Sequence, residues 1–495
     1  MGRVMKYHIR CVLLLMTAML SSFFVVAQTQ DGSAEYPYLV GYYDGVKVDY
    51  YQWAESSYGT AGTETHFKLT HDVWISLAAN SESGRYQTMN INAGTVVLDL
   101  NGYELRLIAP TDGSANPVMF NVTGGARFIL KSSGENGASG RLVGCGGAAM
   151  SGPAVVVNAS SFLLESGSID NFLQPNTAND WGGAVYVANG SVFEMQGGSI
   201  RNSGFMNNGG YLTQGGGVYV QAGAVMRFSG GTISGCSARE GGGVFLEGPT
   251  TNIYEADDAQ AGLTMSGSAL ISGCSAAYRG GGVYVGATAD YRNKFNMYGG
   301  SISECTAVSN GGCGVFSSGI VNMTGGTITR NRPGVEYYTI NGDLYAPDYN
   351  NAKVMDSGYP YGGGICLQGL SGSSQPSVFT MNGGSIDGNV ASSGGGIMAY
   401  TNSRLYILGD SKVMNNHAIG SGGTGNGGGI YVQSSDFNIS SGIISGNSAR
   451  RYGGGVNVNA YPDDNASLTL SGTCAILNNT GGHGGGISQE AGNCT

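Results

Sequence analysis

Charged residues are scarce in this 495-residue chain. Lysine and arginine number 23 against 33 aspartates and glutamates. Together they make up 11% of the residues, whereas ordinary soluble domains hold about 25%. The formal net charge is −10. Because nucleic acids and anionic lipid surfaces are bound by clustered basic side chains, we expect neither as a partner.

Long apolar runs are also absent, except for one near the N-terminus. The stretch from Val12 to Val26 is predominantly apolar, follows three basic residues, and is shorter than the ~20 residues that a membrane span needs. Such a run, ending before Ala27, is typical of a secretory signal peptide. The sequence therefore predicts a signal peptide at residues 1–27, and a mature chain that is secreted or held at the cell surface without a membrane-spanning segment.

Patterns that bind metals, cofactors or phosphate are lacking too. The histidines after the signal peptide do not show the spacing of metal ligands: His66, His71, His417 and His483. The glycine runs lack the basic residue of phosphate loops and the aspartate of calcium-binding glycine repeats. We therefore predict neither a metal nor a cofactor.

Glycine is abundant, with 88 residues in 495, more than twice the ~7% of ordinary proteins. Ten times, a short glycine run precedes an alternating strand, most clearly at Gly215–Val220, Gly280–Val285 and Gly427–Val432. The first aliphatic residues of these strands recur 26 to 50 residues apart, at Val185, Val218, Val244, Val283, Val315, Ile365, Ile397, Ile430, Val456 and Ile487. A repeat of this size predicts a solenoid.

Each repeat has a second half, with an alternating strand, a Gly-Gly turn and a Ser-Ile strand, as in Phe193–Ile200 and Phe295–Ile302. Three residues after the isoleucine stands Asn or Cys, at Cys236, Cys274, Cys305, Asn331, Asn389, Asn416, Asn447 and Asn479. Three short strands in about 30 residues leave no room for a helical crossover, so the sequence predicts a parallel β-helix. We expect the Asn column to stack along its axis.

The repeat also sets the predicted domain boundaries. We assign residues 91–495 to the β-helix, because less regular coils precede the ten clear copies. Residues 28–90 lack the repeat, are rich in tyrosine and are assigned to an N-terminal cap. The chain ends eight residues after Ile487, partway through a repeat, so truncation and a continuation absent from this sequence are both interpretations.

The Gly-Gly-Gly/Ala-Val/Ile strands and Ile-x-x-Asn corners resemble the GGA[ILV] and FxxN repeats of bacterial polymorphic outer-membrane proteins. More broadly, they resemble pectin-lyase-like, right-handed, single-stranded parallel β-helices, over about residues 95–495. The resemblance implies a right-handed β-helix and a location at the bacterial cell surface or outer membrane. Its members include surface adhesins and polysaccharide-degrading enzymes, so the fold alone does not choose a function.

An enzyme on this scaffold would need acidic residues that converge from adjacent coils. No outward column of the repeat holds two acids on successive coils, so we predict no catalytic residues. The sequence GHG at Gly482–Gly484 matches one motif of polygalacturonase-type hydrolases, but the partner motifs are missing. We interpret His483 as a solvated loop residue.

Two features could bind a ligand. The outward column Tyr186, Tyr219, Phe245, Tyr284 and Phe316 is predicted to be exposed, either stacking on itself or holding sugar rings. Long loops on a rigid scaffold often carry binding sites, and inserts interrupt the repeat at Glu247–Gly262 and between Asn331 and Gly362. We place the ligand site in the second of these, at Tyr337, Tyr338, Asp343, Tyr345, Asp348, Tyr349 and Tyr359.

Eight cysteines follow the signal peptide. Export permits disulfides. However, Cys236, Cys274 and Cys305 replace Asn in an inward column, where the parallel side-chain directions disfavour a bridge. We predict three adjacent free thiols.

The sequence favours a secreted bacterial surface protein whose β-helix is a rigid, non-catalytic display scaffold of the adhesin type. Its expected partner is a host-surface protein or glycan. One alternative is a polysaccharide lyase or glycoside hydrolase with its site in the inserts. Another is a structural subunit that assembles through an open strand edge.

Overall fold

The computed structural model describes residues 61–75, 88–107, 118–134, 139–145, 152–173, 182–204, 214–250, 262–334, 360–420, 423–460 and 466–491. It also describes Ala34 and the short strands at 38–40, 42–43, 46–47, 338–340, 343–345 and 493–494. These ranges contain strands, turns and bends and no helical residue. Accordingly, none of the described residues belongs to a helix that is long and apolar enough to cross a membrane.

Three long parallel sheets, named here by their commonest inward residue, run along the molecule. The Phe sheet has 15 strands: Tyr38–Val40, Glu64–Leu69, Thr95–Asp99, Arg127–Lys131, Ser161–Leu164, Val192–Met195, Val225–Phe228, Leu263–Met265, Lys294–Met297, Ile320–Met323, Ser377–Met381, Ser403–Ile407, Asp436–Ile439, Ser467–Leu470 and Asn493–Cys494. The Ile sheet has 13: Val73–Ile75, Glu104–Leu107, Arg141–Val143, Ser168–Asp170, Ser199–Arg201, Thr232–Ser234, Leu270–Ser272, Ser301–Ser303, Thr327–Thr329, Ser385–Asp387, Lys412–Met414, Ile443–Ser445 and Ala475–Leu477. The Val sheet also has 13: Met89–Ile91, Phe120–Val122, Val155–Val157, Val185–Val187, Val218–Val220, Val244–Leu246, Val283–Val285, Val315–Ser317, Ile365–Gln368, Ile397–Tyr400, Ile430–Gln433, Val456–Asn459 and Ile487–Gln489.

Short corner strands link the Ile sheet to the Val sheet and form two four-stranded sheets of their own. One contains Ser237–Glu240, Ser275–Arg279, Thr306–Ala307 and Arg332–Pro333. The other contains Val390–Ala391, His417–Ala418, Ser448–Tyr452 and Thr480–His483. Two antiparallel hairpins complete the described strands: Tyr42–Tyr43 with Val46–Lys47, and Tyr338–Ile340 with Asp343–Tyr345.

The register confirms the predicted fold, a right-handed parallel β-helix. Val218 pairs with Val244, and Val244 pairs with Val283, so equivalent residues of successive repeats lie directly above one another. The chain visits the Phe, Ile and Val sheets in turn once per repeat. Four strands that lie wholly or partly in the range assigned to the cap also belong to these sheets: Tyr38–Val40, Glu64–Leu69, Val73–Ile75 and Met89–Ile91.

The core is the column of side chains that the three sheets enclose. Phe120, Phe128, Phe162 and Phe193 are fully or almost fully buried, and their rings stack at centroid distances of 4.8, 5.3 and 5.1 Å. Alternation along each strand turns every second residue inward, so equivalent side chains of successive repeats stack on one another. Each coil therefore buries its apolar residues only against the coils beside it.

The asparagine column forms the predicted ladder at the corner after the Ile sheet. In Asn389, for example, Nδ2 donates to Oδ1 of Asn416 at 3.0 Å and to the carbonyl oxygen of Ile328 at 2.9 Å. The Asn389 backbone N–H donates to the same Asn416 Oδ1 at 2.9 Å. These bonds recur from Asn331 to Asn479, and they satisfy buried backbone groups that the turn would otherwise leave unpaired.

The glycine runs allow the corners of adjacent coils to approach closely. A Cβ atom at Gly216 would lie 2.5 Å from the carbonyl oxygen of Gly242 in the next coil. Backbone at that distance cannot be moved cheaply, so glycine is favoured at this position. Glycine accordingly occupies this position in nine of the ten repeats, and Cys313 occupies it in the other.

Candidate functional site

The insert predicted to bind a ligand contains an antiparallel hairpin. Its register places Tyr338 opposite Tyr345, and Ile340 opposite Asp343. The other predicted site residues lie outside the described residues: Tyr337, Asp348, Tyr349 and Tyr359. Most of the other insert, residues 251–261, also lies outside them. The assignment of ligand binding to this insert stays a prediction.

The outward aromatic column of the Val sheet is stacked as predicted, but the expectation that it is exposed is wrong. Neighbouring rings from Tyr186 to Phe316 stack at centroid distances of 5.2, 5.1, 4.8 and 5.5 Å. Tyr219 and Phe245 are each 5% exposed, and Phe316 is fully buried. The column is therefore not an open platform for sugar rings.

The glycine turns and the corner strands cover this column. Gly241, with φ at +63°, lies so close that a Cβ atom there would be 2.9 Å from Cβ of Phe245. From the corner strand Ser275–Arg279, the guanidinium of Arg279 lies 4.8 Å from the ring centre of Phe316 and 4.7 Å from that of Tyr278. Burial raises the pKa of Tyr284 to about 12 in this setting. From Phe316 the column continues into a second, smaller buried cluster, which contains Phe316, Cys366, Met398 and Tyr431.

Further along the chain the same column becomes polar, and a cleft of about 310 Å³ opens over the Val sheet. Its floor comes from two successive strands, Ile430–Gln433 and Val456–Asn459, and from Glu490, which follows the next strand. A corner loop and a corner strand form its walls. The lining includes Tyr361, Asn426, Tyr431, Gln433, Arg451 and Glu490. Gln433 pairs with Asn459 on the next coil, so amide groups line the floor one coil apart.

Hydrogen bonds hold the walls and floor of the cleft in place. Ser393 Oγ accepts the backbone N–H groups of Gly425 and Asn426 at 3.1 and 3.2 Å, which fixes the corner loop. Arg451 donates from Nη1 to the carbonyl oxygen of Gly423 at 3.0 Å. On the floor, Asn457 Nδ2 donates to Glu490 Oε1 at 2.9 Å. The site is therefore built before any ligand enters.

Two buried amides beside this cleft keep an unused acceptor. Asn426, which lines the cleft, is 4% exposed, and its Oδ1 has no hydrogen-bond partner among the described residues. Asn457 is fully buried, and its Oδ1 likewise receives no hydrogen bond from the part of the chain that the structure describes. A buried acceptor left unpaired costs roughly 1–3 kcal/mol. Because buried acceptors are normally hydrogen-bonded, an unpaired one beside a cleft indicates a position where a ligand could supply the donor.

Sequence reasoning missed this cleft. Its residues run from Tyr361 to Glu490 and belong to several coils and to the loop before Gly427. The available signal was the change from Tyr and Phe to Asn457 in a column that is otherwise aromatic or apolar for most of its length. Tyr361 is the last residue of the insert between Asn331 and Gly362, so the predicted ligand-binding insert returns to the scaffold at this cleft.

Two acidic residues on the outer face of the Ile sheet, Glu104 and Asp170, form ion pairs with arginines. Glu104 lies 2.7 Å from Arg106 and also bonds to Arg141, and Asp170 lies 3.1 Å from Arg201. Burial of Glu104 opposes ionisation, but hydrogen bonds from Arg106 and Arg141 outweigh it and lower the pKa of this carboxyl. These carboxylates are neutralised across coils rather than aimed at a common point.

The described residues contain no cluster of three or more His, Cys, Asp or Glu that could hold a metal ion. The three cysteines of the corner column, Cys236, Cys274 and Cys305, are fully buried and unbridged, as predicted. They continue the asparagine ladder, because the Cys305 N–H donates to Asn331 Oδ1 at 2.9 Å.

Comparison of the chain with protein-family models, curated proteins and solved structures gives no match.

Proposed function

We propose that this chain is a secreted bacterial cell-surface protein of the adhesin type, which binds a host-surface protein or glycan without catalysis. Thirteen strands at ~4.8 Å spacing make the Val sheet about 60 Å long. Each coil is bonded to its neighbours by three sheets, and the coils from Asn331 to Asn479 are also joined by the ladder of amides, so the rod is a rigid spacer. Rigid scaffolds commonly carry their binding groups on loops and clefts at the side.

The observation that carries this proposal is the preformed polar cleft beside the insert. Its lining includes two tyrosines, two side-chain amides on the floor and one residue of each charge, Arg451 and Glu490. Convergent polar groups around a concave surface are typical of ligand sites. Tyr361 belongs to the cleft and is the last residue of the insert, so the predicted ligand-binding insert contributes at least this residue to the cleft.

The resemblance to polymorphic outer-membrane and pectin-lyase-like repeats belongs to the same proposal. It favours export through the predicted signal peptide and a place at the bacterial surface. The alternative of a glycoside hydrolase requires two carboxyl groups about 5–9.5 Å apart across a substrate. It is less favoured, since Glu104, Asp170 and Glu194 are all engaged by arginines.

Adhesion of the exported chain tests the proposal. Beads coated with it should attach to at least one of a panel of cell surfaces and immobilised glycans, whereas beads coated with serum albumin should not. The same preparation should release no reducing ends and no unsaturated products from a polysaccharide panel. Turnover of any polysaccharide, or attachment equal to that of the albumin beads, would contradict the proposal.

A further inference from the structure

We infer that the cleft binds the end of an uncharged oligosaccharide, an inference that rests on the proposed binding role of this face. Three properties of the cleft lead to this ligand class: its unused acceptors, its balance of charge, and its mixture of amides with tyrosine rings.

The unused acceptors call for a hydrogen-bond donor. Asn426 holds its loop through its backbone, because its N–H donates to Ser393 Oγ and its carbonyl accepts from the Gly394 N–H. The side-chain Oδ1 is left without a partner among the described residues, although Asn426 is only 4% exposed and lines the cleft. A sugar hydroxyl can donate to Oδ1 and still accept from a neighbouring group. Oδ1 is itself covered in the unliganded cleft, while Nδ2 donates to the Gly423 carbonyl oxygen at 3.4 Å, so this bond requires the Asn426 side chain to turn towards the opening.

The charge of the lining favours an uncharged ligand. Glu490 is the acidic residue and Arg451 the basic residue of the cleft, so their charges offset. Arg451 is engaged by the Gly423 carbonyl, and its guanidinium lies 4.5 Å from the ring centre of Tyr452. A phosphate or uronate would need additional basic groups, because desolvating an unpaired anion is costly. The acidic chain as a whole also repels polyanions, since its net charge is −10.

The remaining lining residues suit the two chemical faces of a sugar. Gln433 and Asn459 each offer a carbonyl acceptor and an NH₂ donor to hydroxyl groups. The half-buried ring of Tyr361 offers apolar surface for a C–H face and a hydroxyl tip for a further bond, whereas Tyr431 is 6% exposed and supports the floor from beneath. Coils rise by ~4.8 Å, which is comparable with the length of one pyranose ring. The volume of about 310 Å³ is at the lower end for ligand sites and fits a chain end rather than a long polymer.

The test is a titration of the full chain with neutral hexasaccharides of glucose, mannose and N-acetylglucosamine, and with trigalacturonate as the charged comparison. Gln433→Ala and Tyr361→Ala remove one amide and one ring from the cleft. Gln196→Ala and Tyr298→Ala are matched controls, because both residues are exposed and belong to Phe-sheet turns remote from the cleft. Calorimetry gives the dissociation constants, and circular dichroism checks that each variant is folded.

We expect at least one neutral hexasaccharide to bind, with Kd raised about tenfold or more by each cleft variant and less than about twofold by each control. Absence of neutral-sugar binding at millimolar concentrations overturns the inference, as does binding of trigalacturonate alone. Unchanged affinity in Gln433→Ala also overturns it. That variant should fold, because Gln433 is an outward, half-buried side chain.

The outcomes separate this inference from the proposed function. If the chain adheres but binds no neutral sugar, the inference is overturned and the adhesin proposal stands. The same holds if Gln433→Ala adheres as well as the unsubstituted chain. Cleft-dependent sugar binding without attachment to any surface supports the inference and overturns the adhesin proposal.

Discussion

The guanidinium of Arg279 lies 4.8 Å from the ring centre of Phe316, which stands one coil further along the β-helix. Arg279 comes from a corner strand, whereas Phe316 is an outward residue of the Val sheet, and the contact joins these two layers. Nε of Arg279 is buried without a hydrogen-bond partner in the described structure, and the ring centres of Tyr278 and Phe316 lie 4.7 and 4.8 Å from its guanidinium. An aromatic face can attract a desolvated guanidinium by about 2 kcal/mol.

Arg279→Ala should therefore lower the free energy of unfolding by about 1–3 kcal/mol, through lost stacking and lost cover of the aromatic column. Arg239→Ala is the matched control, because that side chain is exposed and lies 5.7 Å from the ring centre of Tyr278. We expect the control to cost less than about 1 kcal/mol. Urea unfolding followed by circular dichroism measures both, and equal losses would show that Phe316 gains nothing from Arg279.

Asn416→Ala should destabilise the β-helix by about 3–5 kcal/mol. The Asn416 amide donates to the Ile386 carbonyl and to Asn447 Oδ1, and its own Oδ1 accepts the Asn389 N–H, so the variant leaves several buried groups unpaired. Asn438→Ala, an outward residue of the Phe sheet, serves as control and should change stability little. A loss below about 1 kcal/mol in Asn416→Ala would mean that the ladder contributes little to stability.

The three ladder cysteines should be free thiols in protein that is purified without any reducing agent. Cys236, Cys274 and Cys305 are buried, adjacent and unbridged. Titration with Ellman's reagent should count all three after unfolding in guanidinium, and none of them in the native protein. A Cys274→Ser variant should lower the number of thiols that react after unfolding by one. An unchanged number in this variant would place Cys274 in a disulfide bridge.

Stability should decrease as the pH rises from 8 to 10. Burial raises the pKa of Cys313 to about 12, whereas an unfolded cysteine ionises near pH 8.5. The folded state then binds more protons than the unfolded state, so the stabilisation is complete below about pH 8.5 and declines towards pH 12. Cys313→Ala should make the loss between pH 8.5 and 10 smaller by about 2 kcal/mol. Equal slopes for the two proteins would show that this thiol ionises while folded.

Deletion of Tyr337–Tyr359 should leave the β-helix folded and weaken attachment to the host surface or glycan. The insert adds no coil, and neighbouring coils pair directly across it, since Val315 lies opposite Ile365. Its tyrosines can supply contact area at low entropic cost. Deleting residues 251–260 of the other insert is the matched control and should leave attachment unchanged. Full attachment by a folded Tyr337–Tyr359 deletion would exclude this insert as a site.

The repeat in the sequence predicted the fold, the register and the ladders. Val218, Val244 and Val283 could be aligned by spacing alone, because a coil stacks only when each repeat places the same residue at the same corner. Asn389 and Cys274 could be assigned to an inward column for the same reason. Alternation also identified the aromatic column as outward, but outward from the sheet is not the same as exposed to water.

The tertiary structure alone decided what covers each column. Phe245 is buried because a glycine turn and corner strands fold back over the Val sheet, and their path depends on packing between coils rather than on strand periodicity. The cleft has the same origin, since Asn426 meets Tyr361 and Glu490 only after several coils have stacked. Period-2 alternation specifies a side chain's direction within one strand, whereas burial and binding geometry depend on segments that are distant in sequence.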